Sequence, residues 1–328
     1  MSLVVKTVFA AVFAVAVMGY LRLKPANHLA PLSDISPEYR GYPSGEWRRN
    51  KAGLWMYSET FDAKATGSDG QSPPRAHLLF IHGYAQHAGM FADLVDDLTA
   101  AGITVTVMDL QGHGWSEGDR NYVRDFNDHV QDVLDQITLI NRAKAESTPL
   151  FIMGHSMGGL IAVNIGLRKP KAVKGMVLSA PAMAIDPEIN TTTTRTMALF
   201  FSTHLPHMPI AGPKIQGAYS DPARVAAAIA DKRSCLGQCW TPARTAAEIL
   251  GNIDDVRAVL PRLKVPFIVL QGTKDVFATP NGADYLYAHA GSTDKTIKVY
   301  EGFRHELIHE PDGGKVVTDI INWITDRS

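Results

Sequence analysis

Seven short runs of apolar and β-branched residues punctuate the chain: "GLWMYSETF" from Gly53, "HLLFIHG" from His77, "ITVTVMDL" from Ile103, "LFIMGHS" from Leu150, "GMVLSAP" from Gly175, "VPFIVLQG" from Val265 and "TIKVYEG" from Thr296. Most are continuous rather than alternating, which is the pattern of strands buried on both faces. Between them lie segments of helical period. Phe126, Val130, Val133, Leu134, Ile137 and Ile140 recur at i, i+3, i+4 and i+7, and Val316, Val317, Ile320, Ile321 and Ile324 repeat the pattern near the C-terminus. Each presents one apolar face to a sheet. Strands alternating with helices predict an α/β domain with a mostly parallel, doubly wound sheet.

The alternation breaks once. From about Met183 to Ile253 no strand is evident, and "MALFFSTHLPHMPIAGP" is apolar but interrupted by Pro206, Pro209 and Pro213. The stretch reads as short helices and loops inserted between two strands. Insertions at the C-terminal ends of strands overhang the crevice of such a sheet, so a helical lid over about 183–250 is expected. Leu199, Phe200, Phe201, Leu205 and Met208 are its candidates for lining a lipophilic substrate; extra core is the alternative.

The N-terminus departs from this plan. Thr7 to Leu21 carries no charge. It is shorter than the roughly 20 residues that cross a bilayer comfortably, and its cleavage grammar is poor. It is read as an uncleaved anchor or interfacial helix in preference to a cleaved signal or a buried core helix. Arg22 and Lys24 follow it and only Lys6 precedes it, which places the main domain on the cytosolic side. The organisation expected is a hydrophobic anchor or signal segment at 1–25, a polar, proline-spotted linker at 26–50, and the α/β domain at 51–328. With 45% hydrophobic and 20% charged residues and a net charge of -1, the chain offers no electrostatic case for nucleic acid. The two cysteines, Cys235 and Cys239, have no second Cys/His cluster nearby to complete a zinc site. They are expected to be ordinary thiols, a local disulfide being the alternative.

The chemistry concentrates around "GHSMG". A strand ending in G-x-S-x-G and turning at once into a helix makes a sharp elbow that lifts the serine toward the crevice. Ser156 is therefore the candidate nucleophile, and the N–H of Met157, at the helix start, points into the same space. A serine hydroxyl needs a base and the base needs an orienting acid, in chain order Ser, acid, His. Asp275 follows the strand "VPFIVLQG" and His305 follows "TIKVYEG", so all three sit at the same sheet edge. Asp254 and Asp255 lie in a helical pattern, and His309 is a full turn too far. His82-Gly83 opens the loop after an earlier strand, with the Tyr84 N–H as second oxyanion donor. His87 is given a structural or substrate-lining role. The glycine-rich "DLQGHGWSEG" lacks the spacing and lysine of a phosphate loop and reads as a tight scaffold turn with a buried His113.

"HGYAQH", "DLQGHGWSEG", "GHSMGG", "SDPARV", "VPFIVLQGTKDVFATP", "DKTIKVYEGFRHELIHEP" and "DIINWITDR" resemble the monoacylglycerol lipase branch of the serine α/β-hydrolases, over roughly Gly53 to Arg327. The resemblance implies the α/β-hydrolase fold, a Ser156–Asp275–His305 triad, Tyr84 and Met157 as oxyanion donors, and hydrolysis of monoglycerides or other single-chain lipid esters. It implies no cofactor and no metal. Lysophospholipase, other carboxylesterase and thioesterase activities are the alternatives, and a non-catalytic small-ligand receptor a distant one. Epoxide hydrolases and dehalogenases of this fold carry Asp where this chain has Ser156. A lipid ester and a membrane surface are the expected partners. The expected location is a cytosol-facing endomembrane, with the secretory pathway or cytoplasm as alternatives. The lid around 190–240 and the N-terminal apolar segment depart from the family.

Overall fold

A computed structural model describes residues 45–64, 73–185 and 190–328. The expected anchor or signal segment and most of the linker lie outside the described residues. Among the described residues, no helix is long and apolar enough to cross a membrane. The centre is an eight-stranded sheet built from β1 (Glu46–Arg49), β2 (Trp55–Phe61), β3 (Ala76–Ile81), β4 (Ile103–Met108), β5 (Leu150–His155), β6 (Gly175–Ser179), β9 (Phe267–Gly272) and β10 (Lys295–Tyr300), in spatial order β1-β2-β4-β3-β5-β6-β9-β10. The first two strands are antiparallel to their neighbours; every later pairing is parallel. This is the α/β-hydrolase fold. β1 is a correction to the linker at 26–50. Its sequence "EWRR" has one apolar residue among charges, too little for a strand pattern, yet it pairs with β2 and sets Trp47 edge-on to Tyr57, 5.3 Å between rings.

All six residues of each of β3, β4, β5 and β9 are buried, and alternate side chains feed two cores. Leu79, Ile81, Ile152, Leu178 and Val269 face α2 (Phe126–Ala143), α3 (Met157–Arg168), α6 (Ala243–Val259) and α7 (Pro280–His289). Leu78, Phe80, Phe151, Met153 and Leu270 face α1 (Ala92–Ala100) and α8 (Gly314–Thr325). Burying apolar surface on both sides fixes the sheet between two helix layers. Every parallel strand then points its C-terminal end at one edge.

Above that edge, between β6 and β9, lie α4 (Thr192–His204), α5 (Pro222–Ala230) and the start of α6. Two of these helices start on side-chain caps: Thr191 accepts from the Thr194 N–H and Asp221 from the Ala223 N–H, with Pro222 pre-set for the first turn. A ribbon of β7 (Pro209–Ala211) and β8 (Thr241–Pro242) joins them, so the insertion is not purely helical. α6 runs past residue 250 into the main core through Ile253 and Val256, which ties the insertion to the sheet.

Candidate active site

Ser156 sits between the last residue of β5 and the first of α3, with φ 53 and ψ -115. A serine rarely adopts positive φ, and holding it there costs on the order of 1–3 kcal/mol. Backbone bonds hold it. The Ser156 N–H donates to the Ser179 carbonyl at 3.0 Å, and the Ser156 carbonyl accepts from Gly159, Leu160 and Ala182 at 3.0–3.2 Å. Close approach makes the flanking glycines necessary. A Cβ on Gly154 would strike the Gly158 carbonyl, and one on Gly158 would strike those of Ile81 and His82. Met157 opens α3, so its N–H belongs to the first turn, whose donors have no partner within the helix.

Asp275 and His305 come from the loops after β9 and β10. His305 Nδ1 donates to Asp275 Oδ2 at 2.8 Å. Both side chains are almost fully buried. Asp275 is oriented in turn: Oδ1 accepts from the Phe277 and Ala278 N–H groups at 2.8 and 3.0 Å, and Oδ2 from Gln271 Nε2 at 3.2 Å. Burial alone would push the His305 imidazole down, but Asp275 at hydrogen-bond distance and the neighbouring Glu306 outweigh it and hold its pKa above the ordinary value. With Nδ1 committed to Asp275, Nε2 is the ring nitrogen left to accept a proton. Ser156, Met157, Tyr84 and His305 line one cavity of about 640 Å³, and Asp275 is hydrogen-bonded to His305.

The loop after β3 forms the opposite wall. His82 is fully buried; its Nδ1 donates to the Gly83 carbonyl at 2.7 Å and its Nε2 accepts the Leu110 N–H at 3.0 Å. Burial, helped by His113, holds it neutral, well below the usual histidine range. Ala85, with φ 65, is gripped by the lid: its carbonyl accepts from the Cys235 N–H at 2.8 Å and Ser234 Oγ at 3.1 Å. The glycine-rich turn after β4 buttresses this loop, Asp109 accepting from the Ala88 and Trp115 N–H groups, both at 2.7 Å.

Residues 72–312 match the family described as serine aminopeptidase, S33. The chain belongs to that family of α/β-hydrolases. It is 33% identical over 257 residues to the human monoglyceride lipase, covering 78% of this chain and 84% of that protein. It is 32% identical to the monoacylglycerol lipase of Mycolicibacterium smegmatis, covering 77% of this chain and 89% of that one. The monoacylglycerol lipase structure from Paleococcus ferrophilus superposes with a TM-score of 0.73 at 23% identity, covering 83% of this chain and 99% of the other, a likeness of fold. Together with the site these matches make the chain a serine hydrolase of the lipase and esterase kind.

In this hydrolase the cavity wall differs from the one expected of the lid. None of Leu199, Phe200, Phe201, Leu205 and Met208 lines it. Phe201 and Met208 pack with Ala243 and Leu205 in a small core of the lid itself, whereas Leu199 and Phe200 are 62% and 50% exposed. Thr194 is the one residue of α4 that lines the cavity. The lining comes instead from Ile185, Ile210, Leu236, Ile249, Leu250 and Phe277. His87 does not line it either. It is buried, its Nε2 donates to Asp231 Oδ2 at 2.7 Å, and it staples the lid to the loop after β3. Burial would raise the Asp231 pKa, but His87 and Arg233 hold it well below the usual range.

Cys235 and Cys239 form a disulfide, which corrects the expectation of two thiols. The Cys239 N–H donates to the Cys235 carbonyl, one helical turn that brings positions four apart to one side, with Cα atoms 5.0 Å apart. Sequence reading also passed over the buried polar groups around the triad, Gln86, His155, Gln271 and Glu306. The only local signal was their placement beside motif residues. His155, His305 and Glu306 bring three donor atoms within 4.8 Å of one another, but hydrogen bonds among them and to Asp275 account for that clustering.

Proposed function

We propose that this hydrolase cleaves monoacylglycerols and related single-chain lipid esters. The observation that carries the reading is the cavity. It opens beside Ser156, is lined chiefly by aliphatic and aromatic side chains, and its volume lies within the roughly 300–1,000 Å³ of small-molecule sites. His305 Nε2 takes the Ser156 proton as Oγ attacks the ester carbonyl carbon. The oxyanion that forms is received by the N–H groups of Tyr84 and Met157. Collapse breaks the ester C–O bond, and His305 returns the proton to the departing alcohol. Water, deprotonated by His305, then attacks the acyl-enzyme and releases the fatty acid, while Asp275 holds the imidazolium throughout. Oxyanion donors of this kind supply roughly 3–4 kcal/mol each.

The exposed apolar side chains of α4, Met197, Leu199 and Phe200, give the lid a surface suited to a lipid interface, and the uncharged run from Thr7 to Leu21 supports an anchor to the same membrane. The deciding experiment is a panel of lipid esters with the purified protein. Monoacylglycerols should be preferred over diacyl and triacyl esters, lysophospholipids and thioesters. A clear preference for lysophospholipids would replace the head-group assignment. Failure to take a fluorophosphonate probe, with no turnover of any ester, would point to a binding protein.

A further inference from the structure

The mechanism above leaves unused a buried charge next in chain to His305. Glu306 is 1% exposed. Its Oε1 accepts from Gln86 Nε2 at 2.7 Å and from His155 Nε2 at 3.1 Å, its Oε2 is 3.5 Å from His309 Nδ1, and its backbone N–H donates to the Ala218 carbonyl of the lid. A carboxylate taken out of water is costly unless it is paired and bonded, so such a placement demands a reason. Two of these partners, Gln86 and His155, stand next to the chemistry. Gln86 Oε1 accepts the Gly83 N–H at 2.9 Å, and Gly83 precedes the oxyanion donor Tyr84. His155 precedes the nucleophile Ser156, and Glu306 itself follows the base His305. The Gln86 amide has only one orientation available, because the Gly83 N–H can only donate and the ionised carboxylate can only accept.

We propose that Glu306 is a positioning residue whose ionised carboxylate locks the oxyanion loop, the nucleophile elbow and the base loop into one reactive geometry. The inference rests on the ester-hydrolase reading. Burial alone would push the Glu306 carboxyl up, but His155, His309 and His305 hold it well below the usual range, so it stays charged at neutral pH. Tyr219 is the lid's titratable neighbour, its hydroxyl pushed up by burial and by Glu306. Around His305 stand Asp275 at 2.8 Å, Glu306 next in chain, the His155 ring at 4.8 Å, and Phe277 at 5.3 Å with Lys214 Nζ against that ring.

The test uses full-length protein, a water-soluble short-chain p-nitrophenyl ester, and the variants Glu306→Gln, Glu306→Ala and Gln86→Ala. Glu306→Gln keeps the shape and removes the charge. It should lose about tenfold in kcat with KM little changed, and the acid limb of kcat/KM should move to lower pH because His305 loses an anionic neighbour. Glu306→Ala should lose about 100-fold, the scale of a small misplacement of reacting groups. Gln86→Ala should lose kcat with the acid limb unmoved, separating loop positioning from the field at His305. Should Glu306→Ala fail to fold, the other two variants carry the test. A Glu306→Gln enzyme with wild-type kcat and acid limb overturns the proposal, as does a loss of activity that only tracks a fall in Tm. A wild type that neither turns over the ester nor takes a fluorophosphonate overturns both this inference and the reading beneath it.

Discussion

The Ser156 hydroxyl owes its position to backbone bonds rather than to side-chain packing, because three N–H groups share its carbonyl and a fourth bond fixes its own N–H. Removing Oγ therefore touches nothing that holds the turn. Ser156→Ala should lose on the order of a million-fold in kcat and keep the wild-type Tm, measured by turnover and thermal melting on the same preparation. Asp275→Asn should also remove most activity, while Asp255→Asn, on the exposed side of α6, should leave it. Substantial turnover by Ser156→Ala would discard the nucleophile. These residues were legible as candidates because each lies at or within a few residues of a strand's C-terminal end, and strand ends in a parallel sheet share one edge. Glu306 could not. Its partners Gln86 and His155 are 220 and 151 residues away, and nothing local in "RHEL" states whether the glutamate faces water or three polar groups.

Among the elements, the join of β5 and α3 tolerates little. A methyl on Gly158 would press on the carbonyls of Ile81 and His82, both rigid backbone at the end of β3. Overpacking of this sort typically costs 1–3 kcal/mol. Gly158→Ala should therefore lower Tm by several degrees in a domain of this size and cut activity by shifting the elbow; an unchanged melting curve would show that the join can relax. The strands and their helices were legible because buried parallel strands leave long apolar runs. The lid was legible as an insertion and not as a surface. α4 carries apolar residues on two faces, Ala198 and Phe201 inward and Met197, Leu199 and Phe200 outward, so periodicity alone could not say which face meets substrate. β1 escaped because a charged edge strand, the usual guard against sheet-to-sheet pairing, looks like a loop in sequence.

At the scale of the whole molecule, sheet and lid matter as a pair, since the cavity exists only between them. The sheet edge supplies the polar end, with Ser156 and His305, and the lid and α6 supply the apolar remainder through Ile210, Leu236, Ile249 and Leu250. The lid is held down at Ala85, Ala218 and His87 by hydrogen bonds to the loops that carry the chemistry, so the two parts cannot drift apart without disturbing the reacting groups. An acyl chain entering this space exchanges water for aliphatic contact. Each methylene buried contributes about 0.8 kcal/mol, which is about fourfold in kcat/KM if it is realised in the transition state. Along a series of monoacyl esters kcat/KM should climb by that factor per methylene and flatten where the cavity is full. Ile249→Phe puts extra volume into the wall and should bring the plateau to shorter chains, leaving the shortest esters nearly unaffected because they never reach that wall. Phe200→Ser, on the outer face of α4, should leave the profile on dissolved esters as it is and lower activity only on vesicles or micelles, where the exposed ring meets lipid. Steady-state kinetics on both forms of substrate separates the two. A profile that is flat with chain length would mean that the acyl chain lies outside the cavity, and a loss at every length in Phe200→Ser would mean that the ring holds the lid rather than the interface.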